Sequence, residues 1–494
     1  MSGNVDRPAR AIAPSRALAE YGHDVAPPPR ERLISRVPRV LAQFYAAVLS
    51  AIILALFAPL AFLTSRKAQR FLLAMVLINM PLQLAKHFFI REDAEDMGSI
   101  GGLEISVSYI ALAGLCLSWL LSVRSEIPQR RTRLHISLPV VLFLLFNALS
   151  LLAAADATLG LFEVWIVIEL SLLYLYMANR VTSREDVLFV IRLLLIGLIV
   201  EDFLMIGQAS GLLGDINLWG IKAKAQFLES SRISGTIGAP NSAASYLGMI
   251  MAVALGVMLA KVRRADKYLA AIALTMGIVP LIFTLSRGGW LGFIVSLATV
   301  ALFASYHSRL PWKAILGTAV VLVLLVVPFV GDISDRLSND DKGAAEARMP
   351  LNKIAGLMIQ DHPLLGVGSN NFPLAMESYV TRGFWGEFLY TVHNKYLLVW
   401  TETGIGGLIA FVWILVAIVR QGSQCWKFQD PLFSPLALGC VAAVTGHMAQ
   451  MFVDTFRGGP QNHLLWLLGG LVAVMNRLSA GHQGLTCVQK PRNR

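Results

Sequence analysis

The sequence predicts an all-α, polytopic integral membrane protein. Apolar residues make up 56% of the 494 residues and charged residues only 15%, and the mean hydropathy is +0.62. These proportions exclude an ordinary soluble globular protein. The apolar residues also fall in long blocks, and a helix of roughly 20 such residues is long enough to cross a bilayer.

About 12 or 13 of these blocks are long enough to be transmembrane helices. The first block, 42–64, contains Pro59 and has similar numbers of basic residues on its two sides. We therefore expect about 12 (12–13) crossings, with both chain ends inside and with the first block crossing only in part. The predicted spans are 42–64, 71–90, 105–123, 136–154, 159–178, 187–208, 241–260, 268–286, 290–306, 312–330, 395–419, 435–453 and 461–476.

The basic residues behind the net charge of +11 flank the predicted spans. Examples are Arg180 and Arg184, and the pair Arg263-Arg264, whereas the intervening loops are acidic or neutral. The positive-inside rule places such basic loops in the cytoplasm, so the charge reflects topology and no nucleic-acid partner is expected. The predicted organisation is a disordered cytoplasmic tail at 1–40, a transmembrane domain at 41–476 with one large extracytoplasmic loop at 331–392, and a cytoplasmic tail at 477–494.

Two arginines are expected on the extracytoplasmic side, each next to glycines. Arg232 opens the segment 232–241, which is rich in Gly, Ser, Thr and Pro and leads into a helix whose first N–H groups can hold an anion. Arg287 lies in the very short connection 286–290, where Gly288-Gly289 allows a tight reversal. A charged residue at this depth is costly unless it is paired, snorkels to the lipid headgroups or faces a wet cavity.

The third polar feature is His393-Asn394, at the point where the large loop enters the next span. After nine intervening residues follow Gly404-Ile405-Gly406-Gly407, and these glycines allow close helix packing. Each candidate also has a structural interpretation: the histidine can cap the helix or anchor in the headgroup layer, and either arginine can be an ordinary loop or snorkelling residue. One titratable nitrogen and two fixed cations nevertheless suit the displacement of a diphosphate.

Other polar residues are weaker candidates for the site. Glu163 and Glu169 either mark a polar cavity or pair with Arg192, and Glu201-Asp202 and Asp454 lie near span ends, where carboxylates are usually solvated.

No metal site or cofactor is predicted. Asp340-Asp341 falls in a stretch typical of a flexible loop, the four cysteines have no paired spacing, and no common metal, nucleotide or dinucleotide motif occurs.

Three blocks in this order resemble one family of membrane enzymes. They are 232–241, 286–290 and 361–407, the last containing His362-Pro363-Leu364-Leu365-Gly366 and His393-Asn394-x9-Gly404-x-x-Gly407. Their order and spacing resemble the bacterial O-antigen ligases and the related O-antigen and exopolysaccharide polymerases. The resemblance covers about 225–410, and the flanking spans agree with the family only in hydropathy.

The resemblance implies a fold similar to the C-type glycosyltransferases and an active site on the periplasmic side of the bacterial inner membrane. The expected reaction moves a glycan from undecaprenyl diphosphate to an acceptor hydroxyl, without metal, cofactor or nucleotide sugar. The expected partners are an undecaprenyl-diphosphate-linked oligosaccharide donor, a lipid A–core or lipid-linked glycan acceptor, and membrane lipids. By this resemblance His393 is catalytic, Arg232, Arg287 and Arg348 bind the diphosphate, and Asn394, Gly404, Gly407 and Gly288 support the motif.

Two questions stay open at this point. The sequence does not distinguish a ligase, which uses lipid A–core, from a polymerase, which uses a lipid-linked glycan. A solute or ion transporter is the alternative, because some relatives carry a bicarbonate-transporter label, and a non-catalytic scaffold is a third reading. A transporter predicts two related halves with broken helices at the membrane midplane, and no internal repeat is visible.

Overall fold

The computed structural model describes residues 65–125, 135–212, 216–218, 221–223, 232–306, 348–380 and 390–488, with a few single positions between 327 and 334. The chain divides into two compact units, Met1–Phe62 and Leu63–Arg494, and all described residues belong to the second unit. The predicted tail 1–40, the block 42–64 and most of the span 312–330 lie outside the described residues.

Helices make up most of the described chain, and two short antiparallel hairpins interrupt them. The pair β1–β2 has the register Ala85↔Ser106 to Phe88↔Leu103. The strands are β1 (Ala85–Phe88), β2 (Leu103–Ser106), β3 (Ile216–Leu218) and β4 (Ile221–Ala223). The helices are α1 (Arg66–Leu82), α2 (Glu92–Asp96), α3 (Val107–Ser125), α4 (Leu138–Ser150), α5 (Ala157–Arg180), α6 (Arg184–Ala209), α7 (Pro240–Leu259), α8 (Arg264–Phe283), α9 (Arg287–Tyr306), α10 (Arg348–Asp361), α11 (Phe372–Met376), α12 (Lys395–Lys427), α13 (Phe433–Gln450) and α14 (Pro460–Val488).

The described helices agree in position with most of the predicted spans. Within the described part of the chain, five helices are long and apolar enough to cross a membrane, namely α5, α7, α8, α12 and α14, and α3, α4 and α9 contain shorter apolar segments. The predicted span 71–90 is wrong at its end, because α1 stops at Leu82 just after Pro81 and the chain then forms β1. The helix α14 continues beyond residue 476 to Val488. The total of about 12 crossings stays a prediction.

Helix α7 lies at the centre of the described bundle and is buried on nearly every side. It begins with Pro240 at a first-turn position, where the missing N–H is not needed. Glycines bring its neighbours close: a Cβ on Gly256 would lie 3.0 Å from the Cα of Gly439 in α13, and one on Gly292 of α9 would lie 2.9 Å from the Gly446 carbonyl oxygen. Contacts between small residues are a common basis of helix association in membranes.

The outer surface of the bundle and its two ends differ in character. Large apolar side chains such as Phe71, Ile110 and Phe203 are exposed, as expected where lipid contacts the protein. The end where α7 and α12 finish carries ion pairs between arginines and carboxylates. Arg184 pairs with Asp430 at 2.6 Å.

Arg192 donates to both carboxylate oxygens of Asp266, at 2.6 and 3.0 Å. Of the two alternatives for Glu163 and Glu169, the pairing with Arg192 is therefore wrong, and Glu169 instead lies 2.8 Å from the ring of His463.

Helix α12 is broken in its first half, at Gly404. This residue has φ 70° and ψ −176°, a conformation that essentially only glycine adopts. The loop between α10 and α11 fills the break: the Ile405 N–H donates to the Pro363 carbonyl and the Val367 N–H donates to the Thr401 carbonyl, both at 2.9 Å. Main-chain groups released by the break are thereby paired, as burial among helices requires.

The same loop is anchored at its far end by buried polar side chains. Ser369 donates to the Asn147 side chain at 2.8 Å. The Asn370 amide donates to the carbonyls of Ile100 and Leu159, both at 2.9 Å. These bonds tie the loop to α4, to α5 and to the segment before β2, so the loop is a fixed part of the bundle.

Gly404→Ala is expected to destabilise the bundle. The new Cβ would occupy a left-handed backbone conformation and collide with the carbonyl group of Leu364. We expect a loss of at least about 1–3 kcal/mol in the free energy of unfolding, measured by denaturant titration in detergent. Gly197→Ala is the matched control, since its Cβ would meet nothing within 4 Å and alanine is favoured over glycine in a helix by about 1 kcal/mol. Equal stability of the two variants would contradict this role of Gly404.

Candidate functional site

His393 and Asn394 stand at the start of α12, where the sequence places them. Asn394 is the N-cap, because its side-chain oxygen accepts hydrogen bonds from the N–H groups of Tyr396 and Leu397 at 3.0 and 3.1 Å. Asn394, expected only to support the motif, thus has a structural role at the helix start. The capping interpretation of His393 is therefore wrong. The His393 ring packs against Tyr390, with 5.4 Å between the ring centroids.

Arg348, the first residue of α10, lies close enough to His393 to affect its charge. Burial of the ring is the main reason that the pKa of His393 falls from 6.5 to about 4, the positive charge of Arg348 lowers it further, and the Thr391 main chain acts in the opposite direction. The imidazole is therefore neutral at pH 7 and can accept a proton.

Arg232 joins two segments that are far apart in the sequence. Its Nε donates to the Thr284 carbonyl at 2.8 Å and its Nη2 donates to the Asn241 side-chain oxygen at 2.6 Å. Thr284 belongs to the turn before Arg287, and Asn241 belongs to the first turn of α7. The two arginine segments predicted from the sequence therefore meet at one end of the bundle.

Arg287 begins α9, directly after the short turn that the sequence predicts. The reversal, however, is made by Leu285, which has φ 49°, and not by the glycine pair. Ser286 accepts a hydrogen bond from the Gly289 N–H at 3.2 Å and so stabilises the helix start. The expected role of Gly288 in the reversal is wrong because this residue already lies within the helix.

Gly288 instead allows close approach to the connection between α13 and α14. A Cβ on Gly288 would lie 2.9 Å from the side chain of Val453. Arg287 therefore begins its helix beside this connection, which continues with Asp454.

Asp454 is a candidate site residue that sequence analysis missed. It was expected to be solvated, but its carboxylate accepts a hydrogen bond from the Asn241 side chain and lies near the positive charges of Arg348 and Arg232. Burial raises the pKa of Asp454, while the Thr455 main chain and these charged and polar neighbours lower it. The hint in the sequence was a carboxylate directly after a span, in a connection that ends with Gly-Gly-Pro.

The main chain of this connection also holds the start of α12. The Lys395 N–H donates to the carbonyls of Met451 and Asp454, at 2.9 and 3.0 Å. Of the predicted site residues, Arg232 and Arg348 thus lie near Asp454, and His393 lies near Arg348. Arg287 lies beside the same connection: its neighbour Gly288 approaches Val453, the residue before Asp454.

Gly404 and Gly407 lie deeper in α12 and serve packing. Gly404 makes the break described above, and a Cβ on Gly407 would lie 2.6 Å from the Cβ of Thr403 in the preceding turn of α12, so this glycine leaves room for the Thr403 side chain.

Glu201 and Asp202 are also buried, contrary to the sequence-based expectation. Glu201 accepts hydrogen bonds from the Thr236 N–H at 2.7 Å and from the Thr236 hydroxyl at 2.6 Å. It therefore holds the 3-10 turn Gly235–Ile237, which follows Arg232 in the chain.

The site combines guanidinium groups with a neutral imidazole. Guanidinium groups bind phosphate oxygens with two hydrogen bonds each, so the arrangement suits an anionic ligand together with a proton acceptor. Among the described residues, no group of three or more His, Cys, Asp or Glu side chains could hold a metal ion. Asp340-Asp341 lies outside the described residues.

Asn394→Ala is expected to weaken the start of α12, because two N–H groups lose their acceptor. The loss should be about 1 kcal/mol in the free energy of unfolding, whereas Asn394→Ser should cost only a few tenths because serine also caps helices. Denaturant titration of the two variants in detergent tests this. Equal losses for alanine and serine would contradict the capping role.

The matched family domain contains most of this site. Residues 271–412 match the family model described as O-Antigen ligase. Arg287, Arg348 and His393 lie within the match, whereas Arg232 precedes it. No curated protein matches the chain.

The match ends close to the limit expected from the sequence resemblance, which covered about 225–410, and begins later. The domain and the apolar helices together identify a multi-pass membrane protein. Residues 271–412 therefore form a domain similar to the O-antigen ligases, which supports a membrane enzyme in polysaccharide assembly.

Proposed function

We propose that the protein is a glycosyltransferase that moves a glycan from undecaprenyl diphosphate to an acceptor hydroxyl on the periplasmic face of the inner membrane. The observation that carries the proposal is that Arg348 lies near both a neutral His393 and Asp454, and that Arg232 also lies near Asp454. Two of these residues lie in the O-antigen ligase domain. An anion-binding group beside a free base suits a reaction whose leaving group is a diphosphate.

In this proposal Arg232, Arg287 and Arg348 bind the diphosphate of the donor. Negative charge grows on the departing diphosphate as the anomeric bond breaks, and fixed guanidinium groups stabilise it more in the transition state than in the ground state. The arginines supply the charge stabilisation that a divalent metal supplies in other transferases, so the proposal requires no metal and no cofactor.

The chemical step is a direct displacement. The acceptor oxygen attacks the anomeric carbon on the face opposite the diphosphate, and the bond from that carbon to the diphosphate oxygen breaks. The bonding electron pair leaves with the diphosphate, and the proton of the acceptor hydroxyl passes to His393. The configuration at the anomeric carbon is inverted and no covalent glycosyl-enzyme forms.

Two acceptors fit this chemistry equally. Transfer to lipid A–core would make the protein a ligase, and transfer to another lipid-linked glycan would make it a polymerase. The same donor site serves both reactions, since the difference lies only in which hydroxyl attacks.

A solute or ion transporter is the alternative, and one observation favours it. Transporters bind ions at broken helices, and α12 is broken at Gly404. The main-chain groups of Ile405 and Thr401 are, however, occupied by the loop between α10 and α11. They are therefore not available to coordinate an ion, which supports the enzyme over the transporter.

His393→Ala and Arg287→Ala should each lower turnover by about a hundredfold or more. The assay follows release of undecaprenyl diphosphate from a lipid-diphosphate-linked oligosaccharide by purified protein. Lipid A–core and excess donor are offered separately, and the productive acceptor decides between ligase and polymerase.

Arg263→Ala is the matched control, because Arg263 is a mostly exposed arginine, 71% accessible, at the opposite end of the bundle. Wild-type turnover in both site variants would overturn the assignment. No turnover by folded wild-type protein with either acceptor would favour the transporter.

The pH dependence follows from the lowered pKa of His393. Its neutral, reactive form is present above this pKa, about 4, and is lost as the pH falls through it. We expect kcat/KM to stay nearly flat from about pH 7 to pH 5 instead of falling near 6.5, the usual pKa of histidine. Arg348→Gln removes one cause of the lowering, so the acidic limb should move to higher pH. A limb at 6.5 in both proteins would contradict this environment for His393.

A further inference from the structure

Four charged side chains meet inside the bundle, close to the segment that carries His393. They are Glu163 on α5, Lys395 and Glu402 on α12, and Arg457 in the connection before α14, and each is at most 8% exposed. Two carboxylates and two cations balance, so the cluster has no net charge. None of these residues has a role in the displacement proposed above.

Arg457 is the centre of this cluster. Its Nη2 lies 2.6 Å from one carboxylate oxygen of Glu402 and its Nη1 lies 3.0 Å from the other. Its Nη1 also lies 3.9 Å from Glu163. Such a two-point contact between a guanidinium and a carboxylate fixes orientation as well as distance.

The pair Arg457–Glu402 touches the chain on both sides of His393. Before His393, the Nη2 of Arg457 donates to the Thr391 hydroxyl at 3.4 Å. After it, Glu402 belongs to the first part of α12, just before the break. Glu402 also accepts a hydrogen bond from the Phe372 N–H at 3.0 Å, so the pair joins three segments of the site.

Stability alone gives little reason for such a buried pair. Removing two charges from water costs several kcal/mol per ion, and apolar replacements of both partners are often neutral or even stabilising. Removing only one partner is strongly destabilising, because the other charge stays buried without its counter-ion. The geometry that the pair imposes on its neighbours therefore explains the presence of the pair better than stability does.

We propose that Arg457 and Glu402 are a positioning pair, which holds His393 where it can take the proton of the acceptor hydroxyl. The inference rests on the proposed function, since it gives the pair a role in that reaction. The pair acts through Thr391 and through α12 and does not contact the substrate. A displacement of about 1 Å at a reacting group can cost about a hundredfold in rate.

The test removes both charges together. Arg457→Met with Glu402→Gln leaves Glu163 and Lys395 as a balanced pair, and the new amide can still accept from the Phe372 N–H. We expect a folded protein whose kcat is at least about tenfold lower and whose KM for the donor changes less than about threefold. Arg192→Met with Asp266→Asn is the matched control, a comparable two-point pair at the opposite end of the bundle, and should leave both constants unchanged.

The same double change is then made in the His393→Ala background. If the pair acts through His393, the double change should lower the residual turnover of His393→Ala by less than about threefold. The effects of substitutions in residues that act as one unit do not add. A purely structural role would lower turnover by the same factor in both backgrounds, and that result would overturn the proposal.

Hydrogen exchange gives a readout that does not depend on turnover. In the double variant the main-chain amides of 394–398 should exchange at least about tenfold faster than in the control pair. Unchanged exchange at these amides would overturn the proposal, even if activity fell. Full turnover by His393→Ala would instead overturn the assignment of His393 as the base, and no turnover by folded wild-type protein would overturn the proposed function. In both cases the exchange result would still report whether the pair holds this segment.

Discussion

Main-chain polar groups inside a bundle of apolar helices need partners, and the break of α12 at Gly404 is where this constraint acts most strongly. The break releases N–H and C=O groups in the interior, and the loop between α10 and α11 supplies their partners through Pro363 and Val367. Gly366, with φ 70°, and Gly368, with φ 98°, give this loop the conformation that the approach requires. A glycine in α12 and a glycine-rich loop about forty residues earlier are thus one structural unit.

The packing of small residues decides where the ends of the helices lie. Glycines of α7, α9 and α13 remove the side chains that would keep these helices apart. As a result, Arg232 reaches both the turn before α9 and the first turn of α7. The connection after α13 then lies within reach of the same arginine. Close packing in the interior therefore places the candidate site at one end of the bundle.

Carboxylates inside the helices have a common task in this protein. Glu201 holds the turn after Arg232, and Glu402 holds the start of α11 through the Phe372 N–H. In an apolar interior, hydrogen bonds to a carboxylate are strong, and leaving such a group without a partner is costly. These acids therefore fasten loops to helices, and the loops carry the candidate functional side chains.

The sequence alone determined the helical membrane class, the approximate positions of most described helices, and the location of His393-Asn394 at a helix start. Hydropathy and capping act over a few neighbouring residues, so a linear pattern contains them. Only the tertiary structure decided that Asp454 lies among Arg232 and Arg348, that Leu285 makes the turn before Arg287, and that Arg457 pairs with Glu402. These contacts join segments that are distant in the chain, and their geometry depends on how closely whole helices pack. Sequence position alone therefore predicts that a carboxylate at a span end, such as Asp454, is solvated, and only the packing of the helices shows what surrounds it.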